Sequence, residues 1–165
     1  MTRNLILFYS QTGNTRHIAE LICKQTGGIL CEIKPEIPYK SLYLGGGTRV
    51  KQERRDGVHP AILPVQADVE DYDTIFLGTP NWGNGIAHPL MTFLDKHSLA
   101  GKVIYPFCTH GGGGLAHVAS DIKKYCPDAE IGASFDTYGD GGSRAEKDVA
   151  AWLGHLCNHQ YKFEN

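Results

Sequence analysis

Residues 10–15 read Ser-Gln-Thr-Gly-Asn-Thr directly after the run Leu5-Ile6-Leu7-Phe8-Tyr9, a set of three hydroxyls, two amides and one glycine with no cation among them. If this loop opens a helix, the backbone N–H groups of residues 12–15 lack partners inside the helix and point outward at the positive end of its dipole. That is an anion site. Ser10, Thr12 and Thr15 add hydroxyl donors, Gln11 and Asn14 add amides, and Gly13 lets a ligand approach the backbone closely. No Lys or Arg lies nearer than Arg16, so a terminal monophosphate suits the loop. A triphosphate with magnesium would call for a G-K-[ST] element, which is missing. A plainer reading stands beside this one: Asn14 or Thr12 simply caps a helix.

Two further loops carry residue types of the same kind. Thr79 to Gly85, TPNWGNG, holds Trp82 among Pro80, Asn81, Gly83, Asn84 and Gly85, a setting that keeps a large flat side chain out of regular structure. It is read as a stacking surface, the alternative being a half-buried loop aromatic. Cys108 to Gly114, CTHGGGG, offers Thr109, His110 and the backbone of Gly111, Gly112 and Gly113, or else no more than a flexible turn. Gly111, Gly113 and Ala116 fit a G-x-G-x-x-A dinucleotide fingerprint, with Asp136 as a possible ribose ligand. That reading leaves the first loop unexplained, and such a fingerprint usually opens the first unit of a domain. A low-molecular-weight phosphatase would need an Arg five residues beyond Cys108, where Gly113 stands, and a receiver domain would need acids where the first strand ends in Phe8, Tyr9 and Ser10.

Short β-rich runs alternate with stretches of helical period, which implies a doubly wound α/β domain with a parallel sheet and helices on both faces. Strands are predicted at Leu5 to Tyr9, Ile29 to Ile33, Thr74 to Thr79, Lys102 to Cys108 and Ala129 to Phe135. Thr15, Ile18, Ala19 and Ile22 mark the buried stripe of the first helix, stopped by Gly27 and Gly28. Leu90, Phe93 and Leu94 follow Pro89 in a helix starting near His88; Leu115, Val118, Ala119, Ile122 and Tyr125 mark the next, and Val149, Trp152, Leu153 and Leu156 the last, after the loop YGDGGS. A helix is also expected over roughly Val50 to Asp56, inside a 35–64 segment of unreadable periodicity. Five strands and about five helices result. Ligands of such sheets bind beyond the carboxyl ends of the strands, where the three loops lie.

The 165 residues are read as one domain, 1–165, with a net charge of -2 and basic residues that form no stripe, so nucleic acid is not expected as a partner. The five cysteines are scattered and never spaced C-x-x-C, which fits reduced thiols in a cytoplasmic protein and no metal site. The start of the chain is too short in apolar residues for a signal-peptide core or a membrane span, so no membrane insertion is expected.

The combination of SQTGNT after the first strand, the aromatic loop after TIFLGT, and PFCTHGGGG before IKKYCP resembles the flavodoxins, specifically the short bacterial flavodoxin-like group, over nearly the whole chain. The resemblance implies a flavodoxin-like sheet of five strands in the order 2-1-3-4-5 with one non-covalent FMN. It implies a cofactor phosphate on Ser10 to Thr15 and a ring between Pro80 to Gly85 and Cys108 to Gly114. Trp82 would stack on the ring, the 109–114 N–H groups would bond its pyrimidine oxygens, and Gly83 and Gly85 would let a carbonyl turn toward the protonated ring. Electron transfer of this kind needs no catalytic side chain. In contrast to the best-known flavodoxins, the third loop has no Tyr and the charge is nearly neutral. An uncovered ring face would admit a nicotinamide or quinone, with His110 orienting the acceptor. The readings are therefore an electron-transfer flavodoxin serving a redox protein or a small-molecule acceptor, an NAD(P)H-dependent quinone or flavin reductase, or a dinucleotide-binding or cofactor-free regulatory domain.

Overall fold

The computed structural model describes residues 3–41 and 46–160; residues 42–45, inside the segment of unreadable periodicity, lie outside it. The chain alternates strand and helix: β1 (Asn4–Phe8), α1 (Asn14–Thr26), β2 (Ile29–Glu32), α2 (Gly47–Asp56), β3 (Thr74–Pro80), α3 (His88–Lys96), β4 (Val103–His110), α4 (Val118–Tyr125), β5 (Glu130–Ile131), β6 (Phe135–Tyr138) and α5 (Ala145–Gln160). All strand pairings are parallel and the order is β2-β1-β3-β4-β5, with β6 also on β4. This is the predicted order.

Both faces of the central strands are covered because both sets of alternating side chains are apolar. Leu5 and Leu7 of β1 join Ile75 and Leu77 of β3 and Leu90 and Phe93 of α3 in one core. Ile6 and Phe8 join Phe76 and Phe107, Ile18 and Ile22 of α1, and Val149 and Trp152 of α5 in the other. α1 buries Thr15, Ile18, Ala19 and Ile22 and ends at Gly27, whose φ of 71° lets its N–H turn back to Cys23 O.

Close packing between β3 and β4 depends on Gly78. A Cβ built there would stand 2.1 Å from the ring of Phe107, its partner in the register and fully buried. Gly78→Ala is therefore expected to lower the unfolding free energy by about 1–3 kcal/mol, read from the shift in a urea melt at unchanged slope.

The structure departs from the sequence expectations in three places. The strand expected over 129–135 is two pieces: Ile104 pairs with Ile131 but Phe107 with Phe135, so one extra residue bulges between them. Gly132 lies in that break, where a Cβ would stand 2.2 Å from the ring of Tyr105, so only glycine passes there without displacing the ring. α4 starts at Val118 and not at Leu115, because Ala116 adopts a left-handed φ of 46° that a helix cannot contain. α2 begins three residues before Val50, at Gly47, and the chain around it is closed by an antiparallel contact in which Glu36 N bonds Ala61 O and Leu63 N bonds Lys34 O.

Candidate functional site

The carboxyl ends of β1, β3, β4 and β6 bring four loops to one edge of the sheet. At the first, Gly13 precedes α1 with a φ of 97°, a conformation open to glycine, and its side neither crowds nor is crowded by any atom within 4 Å. The helix start is capped neither by Asn14 nor by Thr12. Ser10 does this work from further upstream, its Oγ accepting the N–H groups of Gly13 at 3.1 Å and Arg16 at 3.2 Å. The N–H groups of Asn14 and Thr15 have no acceptor among the described residues. Two of the predicted ligand groups are engaged elsewhere. Gln11 accepts from the Tyr9 hydroxyl and donates to the carbonyls of Tyr39 and Lys40. The Thr15 hydroxyl is buried and lies 2.8 Å from that of Thr109, tying α1 to the end of β4. The nearest cation, Arg16, is bonded to Glu32, so the donor set of the loop itself is neutral.

The second loop is a tight hairpin turn. Trp82 N bonds Gly85 O at 3.0 Å and Gly85 N bonds Trp82 O at 3.2 Å, while Gly83 and Asn84 have φ of 58° and 72°. Positive φ at both central residues is the mark of a type I′ turn, for which Gly and Asn are the favoured residues. Asn81 braces it: its Oδ1 accepts from Asn84 N at 2.8 Å, and its Nδ2 donates to Gly114 O in the third loop at 2.9 Å. Asn84 O accepts from His117 N at 2.8 Å.

Trp82 is buried more deeply than the half-buried loop aromatic that the sequence offers as the plainer reading. It is 4% exposed, edge-on to Tyr9, Tyr39 and His88 with ring centroids 5.3, 4.9 and 5.5 Å away. Rings from three other parts of the chain outweigh the local preference of a Gly- and Asn-rich loop for solvent. Its indole Nε1 is the one buried side-chain polar atom without a hydrogen-bond partner among the described residues, an uncommon state for a buried donor.

In the third loop, His110 Nε2 lies 2.9 Å from Asp136 Oδ2 and His110 Nδ1 accepts from Gly112 N at 3.0 Å. An acceptor-only carboxylate on one nitrogen and an N–H on the other assign the imidazole proton to Nε2. Asp136 thus holds His110. Gly111 and Gly112 have nothing within 4 Å of where a Cβ would stand, and Gly113 rests against Asn81. Cys108 is buried in the core below the loop, with burial pushing its thiol up to about 12.

Between these loops lies a cleft of about 300 Å³. It gathers Gln11, Thr12, Asn14 and Thr15 from the first loop, Pro80, Asn81 and Trp82 from the second, and Thr109, His110 and Gly111 from the third. Ser10 and Gly13 belong to the first loop without lining the cleft, and Gly83 lies on the far side of the hairpin against the Arg54 guanidinium. The fourth loop adds Tyr138 and Gly139, which the sequence reading does not single out. Tyr138 is 70% exposed and edge-on to His110 at 6.3 Å. The signal was present: YGDGGS follows the last strand, so the rule that directs attention to the other three loops covers this one too.

The flavodoxin family profile matches residues 3–156. The chain belongs to the flavodoxin family. This flavodoxin is 31% identical to a protein of Bacteroides eggerthii DSM 20697 described as a flavoprotein, with a TM-score of 0.81 over 95% of this chain and 99% of that one. A flavoprotein of Lactobacillus acidophilus NCFM, solved in complex with FMN, has the same fold at 22% identity and a TM-score of 0.71, over 93% of this chain and 99% of that one. The NAD(P)H dehydrogenase (quinone) 3 of Rhizobium meliloti (strain 1021) is 30% identical over 127 residues, 68% of this chain but 57% of the relative's length. No described helix is long and apolar enough to cross a membrane.

Proposed function

We propose that this flavodoxin binds one FMN non-covalently in the four-loop cleft and acts as an electron carrier. The residues present fit the group. Two N–H groups without acceptors at the start of α1, beside the Ser10 and Thr12 hydroxyls, suit a phosphate. The unobstructed glycines at 13, 111 and 112 leave room for close approach, and Trp82 lends its buried indole to the cleft wall. FMN, when bound, supplies a ring that takes up one or two electrons; the protein supplies position and electrostatics. The third-loop N–H groups would hold the pyrimidine edge, with Asp136 and His110 fixing the loop, and Tyr138 would stand beside the ring.

The observation that carries the carrier reading is the Trp82–Gly85 turn. Rotating the Gly83–Asn84 peptide converts a type I′ turn to type II′, which needs glycine at the first central position and accepts Asn at the second. Gly83 and Asn84 are those residues. The rotation gives up the Asn84 N–H bond to Asn81 and turns the Gly83 carbonyl over, so an acceptor is offered in one turn type and withdrawn in the other. A bond made in one redox state only shifts the potential, tenfold in an equilibrium constant for about 1.4 kcal/mol. Anaerobic titration of FMN-loaded protein with dithionite, then with NADH and NADPH, tests this. The expected result is accumulation of a one-electron-reduced form and slow reduction by NAD(P)H.

A second reading, an FMN-dependent quinone or flavin reductase, is favoured by the Rhizobium relative and by the openness of the His110–Tyr138 side of the cleft. Direct two-electron reduction with rapid NAD(P)H turnover would select it. Under either reading Trp82 lies at the cleft wall, so its emission is expected to fall as FMN is titrated in. Unchanged emission at saturation would separate Trp82 from the flavin site.

A further inference from the structure

A second cleft, of about 310 Å³, lies on the other side of the Trp82–Gly85 hairpin and shares Trp82 as a wall with the first. Its distinctive feature is a histidine held by a buried carboxylate. Glu53 accepts from the Tyr39 hydroxyl at 2.6 Å and from Arg49 Nε at 3.0 Å, and its Oε1 is 2.9 Å from His88 Nδ1. A carboxylate held in this way only accepts, which assigns the imidazole proton to Nδ1 and leaves Nε2 as a bare acceptor. The His88 side chain is 3% exposed, and its Nε2 has no partner among the described residues. Burial, against the opposing effect of Glu53, lowers its pKa from the ordinary histidine value, so the lone pair persists at neutral pH.

The rest of the lining completes a recognisable set. Arg54 supplies a guanidinium whose Nη2 already bonds Trp82 O at 3.2 Å, leaving further N–H donors, while Tyr125, Ile86, Met91 and Trp82 give aromatic and apolar walls. The volume is at the low end for small-ligand sites and suits one ring with two substituents. We propose that this cleft is a binding site for a small planar hydroxyaromatic with an anionic or carbonyl group opposite its hydroxyl. The hydroxyl donates to His88 Nε2 and the acceptor group takes Arg54. An aliphatic alcohol would leave the aromatic walls unused, and an aromatic without a donor would leave the Nε2 of this nearly enclosed histidine unpaired, which is where selectivity is strongest. The site does not depend on the flavin reading, although a ligand in it would be separated from the flavin cleft by a single indole.

Calorimetric titration of the full-length chain, as purified and after loading with FMN, with 4-hydroxybenzoate as the probe tests the site. One equivalent is expected to bind, about tenfold or more tighter than 4-methoxybenzoate, which cannot donate, and tighter than benzoate. Arg54→Met, at an exposed position, is expected to weaken the probe about tenfold while leaving phenol unchanged. The His88 ring resonances should shift on binding and the Gly111 and Gly112 amides should not. Equal affinities for the three benzoates, no binding at millimolar concentrations, or displacement of the probe by FMN would each overturn the proposal. Protein that takes up no FMN yet discriminates among the probes upholds this site and overturns the flavin reading alone.

Discussion

FMN is expected to bind more than a hundredfold more tightly than riboflavin, a difference of about 3 kcal/mol or more contributed by the phosphate. The donors for it are the N–H groups of Asn14 and Thr15 and the hydroxyls of Ser10 and Thr12. Bonds to a charged acceptor are worth roughly 1.5–3 kcal/mol each, against the cost of desolvating the phosphate, so two or three of them leave a net of that order. The helix dipole adds to it without any cation. Fluorescence titration of the flavin-free protein with the two ligands reads the difference directly, and equal affinities would remove the first loop from the site. The substitutions separate the roles. Thr12→Val removes an exposed hydroxyl and should weaken FMN while leaving riboflavin and thermal stability unchanged. Thr15→Val breaks a buried pair with Thr109 and should show in stability as well. Arg16→Ala should do little to either, because that guanidinium is engaged with Glu32 at the surface.

Which parts of this molecule could be read from the sequence follows from the range of the interactions that decide them. The period of β1, β3 and β4 and the stripe of α1 are local patterns, and the burial of Leu5, Ile6, Ile18 and Ile22 follows them. The helix-opening loop with Gly13 was legible for the same reason. The bulge in the last strand was not, because it answers to Tyr105, a residue on a neighbouring strand that occupies the space beside Gly132. Ala116 gives no local warning of its left-handed backbone, which interrupts a run of residues at helical spacing. The depth at which Trp82 is buried was not legible because its three ring partners come from positions 9, 39 and 88. The described residues of the 35–64 segment meet at one buried carboxylate, Glu53, whose partners at 39, 49 and 88 no local period reveals.

That carboxylate carries the largest expected effect of a single substitution on stability. Glu53→Ala should lower the unfolding free energy by about 3–5 kcal/mol, the usual cost of removing one member of a buried ionic network. Its loss strands the Tyr39 hydroxyl and the His88 Nδ1–H, both buried donors, and removes one partner of Arg49, which also donates to Ile37 O and stands 3.8 Å over the Tyr39 ring. Glu53→Gln keeps the shape and one acceptor but turns an N–H toward a neighbouring donor, so it should cost less. The pH dependence separates charge from shape. His88 has a folded pKa below its ordinary value of 6.5, chiefly from burial, with Arg54 and His59 pushing the same way and Glu53 opposing. Below pH 6.5 the unfolded chain therefore binds a proton that the folded chain refuses, and this histidine's contribution makes stability fall as pH drops through the window between the two values. In Glu53→Gln the opposing carboxylate is gone, the folded pKa moves lower, and the decline should continue to lower pH than in the parent. Urea midpoints taken from about pH 8 to about pH 5 measure both curves. Parallel curves would mean that Glu53 does not govern the protonation of His88, and that its place in the network is steric.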